Sequence, residues 1–336
     1  MKKLLYIGNH LSNKGKTETT IETLSQSLRL EGYRVFAFSN KTDKLVRLFD
    51  MLFAILKYSK KVDYVIIDTY STSNFYYAFI TSQLCRLLKL KYIPILHGGN
   101  LPHRLKNIPK LSQAIFNNAY KNVAPSLYIK SHFKDFGYHN LMHIANSIEL
   151  KNYPFKKREF KTLKLLWVRS FSEIYNPLLA VKILKSLKDN GLNASLCMVG
   201  PEGDGSLEKT KGYAKALGVD VTFTGKLLKE EWIDVSKDYN IFLNTTNFDN
   251  MPVSVMEAMA LGLPIISTNV GGLPFLIENE HDGILVNPND VSGFVEAIRE
   301  IITSPEKAIK LAQNARRKVE AFDWEHIKLR WISLLK

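Results

Sequence analysis

"FLNTTNFDNMPVSVMEAMALGLPIISTNVGGLPFLIENEHDGILVNPND", residues 242–290, reads as strand, helix and strand in succession. "YNIFLNTT" is an apolar run that ends in polar residues, "PVSVMEAMALG" has helical apolar spacing, and "LPIISTNVGG" returns to a buried-strand pattern. Strand, crossover helix and strand in this order belong to a parallel sheet covered by helices. Pro252 suits the first helical turn, Asn250 is placed to cap it, and Gly262 closes it. The N–H groups of Val253 and Ser254 are then left to meet a diphosphate at the positive end of the helix. Asp249 and Glu257 straddle that helix start, eight positions apart, with Glu257 within reach of a hydroxyl-bearing ligand such as ribose. Gly271-Gly272 forms a second tight loop, again at the carboxyl end of a strand.

The same alternation extends through the chain. Upstream, "KLLYIG", "YRVFAFSN", "YVIIDTY" and "YIPILHGG" are strands separated by amphipathic helices, among them one from about Lys44 to Lys60. "NYPFKKREFKTL", residues 152–163, is polar and basic and reads as a linker. Beyond it the series restarts with "KLLWVRS", "LNASLCMVG" and "VDVTFTG". Two doubly wound, Rossmann-like α/β domains follow, 1–155 and 156–322, then a closing segment, 323–336. Such a pair favours a ligand between the domains, near the carboxyl ends of the strands.

Composition fits this reading. The chain has 336 residues, 46% hydrophobic and 23% charged, which suits soluble globular domains and is long for one core. Its longest apolar runs, such as "MLFAIL", are far short of a membrane span, and the basic start is too briefly apolar for a signal peptide. Cys85 and Cys197 match no metal spacing and suggest a reducing cytoplasm. The net charge of +14 is uneven: residues 1–160 carry 25 basic and 10 acidic residues, the remainder 21 and 22. A basic first half suggests an anionic partner, either nucleic acid, anionic lipid or a phosphate-bearing acceptor. Nucleic acid has charge alone behind it, without the aromatic-basic motifs of RNA-binding modules, and is not expected.

"GNHLSNKGKTETT", residues 8–20, invites a phosphate-loop reading that its spacing rejects. With Gly15 as the second glycine, the first would stand at position 10, which is His10. Asp68, ending a strand, is equally unspecific. Gly15 remains either a plain turn glycine or a point where backbone approaches a ligand.

The ordered set of motifs resembles the retaining nucleotide-sugar glycosyltransferases of the GT-B fold, glycosyltransferase family 4 (group 1). The acid, seven residues and glutamate of "EAMALGLP" are joined by "MVGPEGDG" with Gly200, "FTGKL", "VGGLP" and "DGILVNPND". The match covers residues 160–325 well; in the first half it is looser, through the Gly15 loop, "LHGGN" (His97), "VAPS" and "IANSIE". The resemblance implies two domains facing each other across a cleft, with the closing helix packed back on the first. It implies that Glu257 holds the nucleotide ribose, Asp249 lies near the donor sugar, and Arg169 in "WVRSF" pairs with the donor diphosphate. Gly200, Gly225, Lys226, Leu227, Asn250, Met251, Pro252, Val253 and Ser254 complete the expected donor site, and His97 faces the donor sugar from the acceptor side. The implied reaction moves a sugar from a nucleoside-diphosphate donor to an acceptor hydroxyl with retention, without a metal ion or resident cofactor.

Two departures stand out. Members commonly have a lysine about five residues after the arginine, whereas here "RSFSEIYNP" offers Ile174, Tyr175 and Asn176, leaving Lys226 as a candidate replacement. Asp249 also stands in place of the commoner glutamate, and "NMP" replaces a glycine-containing turn. Read without the resemblance, Arg169 could be an ion-pair partner on the surface and His97 a strand cap. His132, His139 and His143 lack a helical carboxylate partner and are expected on the surface, so a metal site is not expected. A non-catalytic sugar-nucleotide-binding or glycan-binding protein of the same shape is the alternative function. The helix "KLVRLFDMLFAILKYSKK", residues 44–61, is either an ordinary sheet-packing helix or a contact with an anionic membrane surface, the latter fitting a lipid-linked acceptor.

Overall fold

The structure is a computed structural model that describes residues 2–11 and 19–336, so Gly15 lies outside the described residues. The chain divides into two compact units, Met1–Asn146 with Glu325–Lys336, and Ser147–Trp324.

The first unit is built on six parallel strands: β1 (Lys3–Ile7), β2 (Arg34–Phe38), β3 (Tyr64–Thr69), β4 (Tyr92–Leu96), β5 (Asn122–Ala124) and β6 (Leu141–His143). Their order is β2-β1-β3-β4-β5-β6, with the topological switch between β1 and β3. The connecting helices are α1 (Thr20–Leu30), α2 (Lys44–Tyr58), α3 (Asn74–Leu87), α4 (Leu101–Asn107), α5 (Pro109–Phe116) and α6 (Leu127–Asp135). Every residue of β3 and β4 is buried, which is why "YVIIDT" and "YIPIL" read as unbroken apolar runs. Leu5, Ile7, Val65 and Ile67 pack against Met51, Ala54 and Ile55 of α2, while Phe75, Phe116, Phe133 and Tyr138 build a separate aromatic cluster. Local signals set the ends: α1 opens on the Thr19–Glu22 capping box, and Gly32 follows it at φ +87°.

The second unit also has six parallel strands: β7 (Leu163–Val168), β8 (Ala194–Val199), β9 (Thr222–Gly225), β10 (Ile241–Asn244), β11 (Ile265–Thr268) and β12 (Ile284–Val286). The order β12-β11-β10-β7-β8-β9 is that of a dinucleotide-binding fold, and its switch lies between β7 and β10. Around it lie α7 (Pro177–Asp189), α8 (Ser206–Ala216), α9 (Lys229–Ser236), α10 (Val253–Ala260), α11 (Leu273–Leu276), α12 (Val291–Thr303) and α13 (Pro305–Glu320). Trp167 and Phe171 are fully buried in its core, and the Trp167 indole N–H donates to Thr245 Oγ1 at 2.9 Å.

Helix α14 (Trp324–Leu334) closes the described chain, and its residues from Glu325 onward belong to the first unit. Lys328 Nζ lies 3.2 Å from Glu31 Oε1, and Arg330 donates to the His143 carbonyl at 3.0 Å. Among the described residues no helix is long and apolar enough to cross a membrane.

The segment that reads as a linker is fastened to the second unit, so the division falls after Asn146 instead of at 155. Arg158 is buried and donates to the carbonyls of Ser236, Tyr239 and Leu261 at 2.8, 3.0 and 2.8 Å. Its burial draws the guanidinium down to about 10, and three carbonyl acceptors offset that desolvation. Tyr153 is buried as well, and its role emerges at the site.

Candidate active site

The loops after β7 and β10 meet at the topological switch of the second sheet. Arg169 follows β7 directly, and its N–H donates to the Val199 carbonyl at 3.0 Å. The Arg169 guanidinium forms an ion pair with the Asp249 carboxylate from the loop after β10. It also lies over the Tyr175 ring, 4.3 Å from its centroid. Burial lowers the basicity of this guanidinium, while Tyr175 and Glu257 act in the opposite direction. Removing such a cation's partner would leave an uncompensated charge, so the Asp249 contact is a requirement of burial as much as a source of stability.

Helix α10 supplies the donors. Its N-cap is Pro252, not Asn250, whose backbone N–H donates to Asp249 Oδ1 at 2.8 Å. Val253 and Ser254 N–H make no hydrogen bond among the described residues, and Ser254 Oγ is buried without a partner. Gly262, at φ +76°, ends the helix: its N–H donates to the Met259 carbonyl and that of Leu263 to the Ala258 carbonyl. Met256 and Met259 are core residues with no exposed surface, and Met251 is buried as well.

Glu257 projects from α10 and is 4% exposed. Its Oε1 accepts from the Tyr153 hydroxyl at 2.6 Å and lies 3.0 Å from Lys229 Nζ at the start of α9. Burial and the neighbouring Glu257 charge raise the Tyr153 hydroxyl far above its ordinary value, so it remains a donor. One carboxylate oxygen, Oε1, is thereby fixed. Lys226 is exposed and Leu227 half-buried in the loop between β9 and α9, where Gly225 turns the chain at φ +72°. Lys229, the first residue of α9, reaches Glu257 from the end of this loop.

Several glycines have their explanation within the protein. A Cβ on Gly200 would stand 1.7 Å from the Arg169 carbonyl, and one on Gly272 would stand 1.8 Å from that of Asn250. Gly200 therefore lets β8 close on the arginine, and the Gly271-Gly272 loop seats the Asp249–Asn250 turn. The residues at the missing lysine's position do other work: Tyr175 carries the guanidinium, and Asn176 donates to Asn289 Oδ1 at 2.8 Å.

In the first unit, His97 follows β4. Its Nε2 lies 2.9 Å from Asp68 Oδ1, which also accepts from the Tyr6 hydroxyl at 2.8 Å, and Tyr70 stacks at 5.3 Å. Facing a carboxylate, Nε2 carries a hydrogen and donates it to Asp68 Oδ1. Asp68 Oδ2 is buried without a partner and borders a small hollow lined by Gly8, Asn9 and Tyr70. Sequence reasoning set Asp68 aside because strand-end aspartates are common, and it also missed Tyr6, Tyr153 and Lys229, whose signals are only spatial.

The other histidines divide. His139 is exposed, whereas His132 and His143 are half-buried, contrary to expectation. Desolvation, then Arg330 and Lys130, depress His143 to about 4. Among the described residues, Glu278, His281 and Asp282 form a grouping with metal-ligand atoms, but Asp282 accepts from Lys318 at 2.6 Å and from Glu278 N–H at 2.8 Å, as a closed turn would.

The family described as "Glycosyl transferases group 1" matches residues 151–318. The chain is 27% identical over 148 residues to the sulfoquinovosyl transferase of Arabidopsis thaliana, covering 43% of this chain and 28% of that protein. It is 30% identical over 135 residues to a D-inositol 3-phosphate glycosyltransferase of Rhodococcus erythropolis, covering 39% and 30%. An Escherichia coli UDP-Gal:alpha-D-GlcNAc-diphosphoundecaprenol alpha-1,3-galactosyltransferase is 28% identical over 149 residues, covering 43% and 37%. The matched region thus spans only about a third of each curated relative. Among solved structures, sucrose-phosphate synthase from Thermosynechococcus elongatus aligns with a TM-score of 0.84 at 17% identity, covering 99% of this chain and 98% of that one. The Anabaena protein HepE in complex with UDP-glucose aligns at 0.82 and 15% identity, covering 99% of both. With a matching family over half its length and two six-stranded parallel α/β units of the GT-B kind, the chain belongs to the glycosyl transferases group 1.

Proposed function

We propose that this chain is a retaining, metal-independent glycosyltransferase of family 4 that transfers a sugar from a nucleoside diphosphate to an acceptor hydroxyl. One observation carries the reading: Arg169, Asp249, Glu257 and the open N-terminus of α10 converge at the β7–β10 switch. A diphosphate entering there accepts from Val253 N–H, Ser254 N–H and Ser254 Oγ and takes over Arg169 from Asp249. The second oxygen of Glu257 accepts from the ribose hydroxyls while Tyr153 and Lys229 hold the first. Lys229, in place of Lys226, is the second cation of the site. The Gly225–Leu227 loop borders the base, and His97 meets the sugar.

In the reaction, the bond between the anomeric carbon and the diphosphate oxygen breaks as the acceptor oxygen adds on the same face. The acceptor proton passes to the departing phosphate, whose growing charge Arg169, Lys229 and the helix N–H groups stabilise. We assign the acceptor to a glycan or lipid-linked saccharide of the cell envelope, reached from the cytoplasmic side. The undecaprenol-linked substrate in the name of the Escherichia coli relative supports that acceptor class, and the UDP-glucose complex of HepE supports the donor class.

The test is a panel of nucleotide sugars screened by thermal shift, followed by turnover with the best donor in the presence and absence of a chelator. Chelator-insensitive release of nucleoside diphosphate, with the product anomer read by NMR, is the expected result. Binding without transfer or hydrolysis would leave only a sugar-nucleotide-binding role.

A further inference from the structure

Helix α2 is apolar on two opposite sides. Met51, Ala54 and Ile55 are buried against the first sheet. At 3.6 residues per turn, Leu45, Val46, Phe49, Phe53 and Leu56 share one arc of roughly 100° on the other side. These five side chains are 69%, 51%, 68%, 62% and 54% exposed. A contiguous apolar row of this kind on a protein surface marks an interaction site.

The surrounding charge identifies the partner. Lys41 and Lys44 stand at the start of the row and Lys57, Lys60 and Lys61 at its end, all exposed. Asp43 is engaged in capping, accepting from Leu45 and Val46 N–H at 2.9 Å each, which leaves Asp50 as the uncommitted acid. Arg47 is turned inward, donating to Lys41 O, Thr42 O and Asn9 Oδ1, so it locks the helix to the unit. Two copies of this face would bring lysine clusters together, so self-pairing is disfavoured. The helix, 15 residues long, is also too short to span a bilayer.

We infer that α2 docks in the plane of an anionic bilayer, with Leu45, Phe49, Phe53 and Leu56 among the acyl chains and the flanking lysines at the phosphate headgroups. This inference needs neither donor binding nor transfer, and can fail without touching them.

Flotation of the full chain with phosphatidylcholine vesicles, with and without phosphatidylglycerol, tests it. Binding should require the anionic lipid and weaken with salt. The Phe49→Ser/Phe53→Ser variant and the Lys57→Glu/Lys60→Glu/Lys61→Glu variant should each lose at least about tenfold in vesicle affinity, because both terms act together. Both substitute exposed side chains, so melting temperature and UDP binding should hold, which separates lost docking from lost folding. Failure of the unsubstituted chain to float, or floating unaffected by the phenylalanine changes, would overturn the inference. So would sedimentation showing a dimer that the same changes split without any vesicle binding.

Discussion

The two units treat their charged groups in opposite ways. In Ser147–Trp324 the charged side chains of the site pair with one another: Arg169 with Asp249, and Lys229, beside Tyr153, with Glu257. In the first unit, Asp68 gathers Tyr6 and His97 but keeps one buried oxygen unpartnered, while Lys44 and Lys57 of α2 stand outside in solvent. The contrast teaches where specificity resides. On the proposed reading, a pyrophosphate and a ribose present the same groups whatever sugar they carry, and the second unit meets them with a fixed set of mutually neutralising partners. The first unit, on the proposed reading, meets an acceptor and a surface, for which charge and apolar area suffice.

Arg169→Ala gives the sharpest break. Losing a leaving-group cation should cost about 10²–10³ in turnover, by analogy with an oxyanion-hole donor. Near-normal turnover with a folded protein would remove the second unit's cation from the chemistry.

Asp249→Asn sharpens the same side. Freed from its carboxylate, Arg169 should bind UDP several-fold more tightly by calorimetry, while turnover falls by about a hundredfold, the loss expected of a group at the reacting centre. Weaker UDP binding would mean that Asp249 serves the guanidinium as a structural partner only.

Asp68→Asn probes the first unit. It leaves the Tyr6 and His97 contacts available but removes the carboxylate's charge, and turnover should fall about tenfold with UDP affinity unchanged, since positioned proton-transfer and orienting groups act on the reaction step. A matching loss of UDP affinity would contradict the division of labour.

The smallest effect concerns acid. His143 stays neutral in the folded chain down to about 4, below its ordinary value, so the unfolded chain takes up the proton first. Its contribution to stability is complete above about pH 6.5 and is lost as pH falls toward about 4. His143→Asn should flatten the decline of melting temperature across that window; an unchanged slope would count against it.

The second unit was the more legible half, for a physical reason. Pro252, Gly262 and the Gly271-Gly272 pair are residue types that backbone geometry demands, and each of these glycines stands where it was anticipated to turn the chain. Only the cap changed identity, from Asn250 to Pro252. Asp68, Tyr153 and Lys229 could not be found this way, because their meaning comes from partners 29, 104 and 28 positions distant in sequence. Helix α2 hid its outward face for a different reason: with apolar residues nearly all round, periodicity gives no direction to the buried side.

The pairing of Arg169 with Asp249 also sets a threshold for any inhibitor of this crevice. A monoanionic or neutral mimic would have to displace a carboxylate already in contact, gaining little in exchange. On the proposed reading, a ligand with two or more adjacent negative charges satisfies the arginine and the helix amides together, and the protein's own acid acts as a filter against weakly charged bystanders.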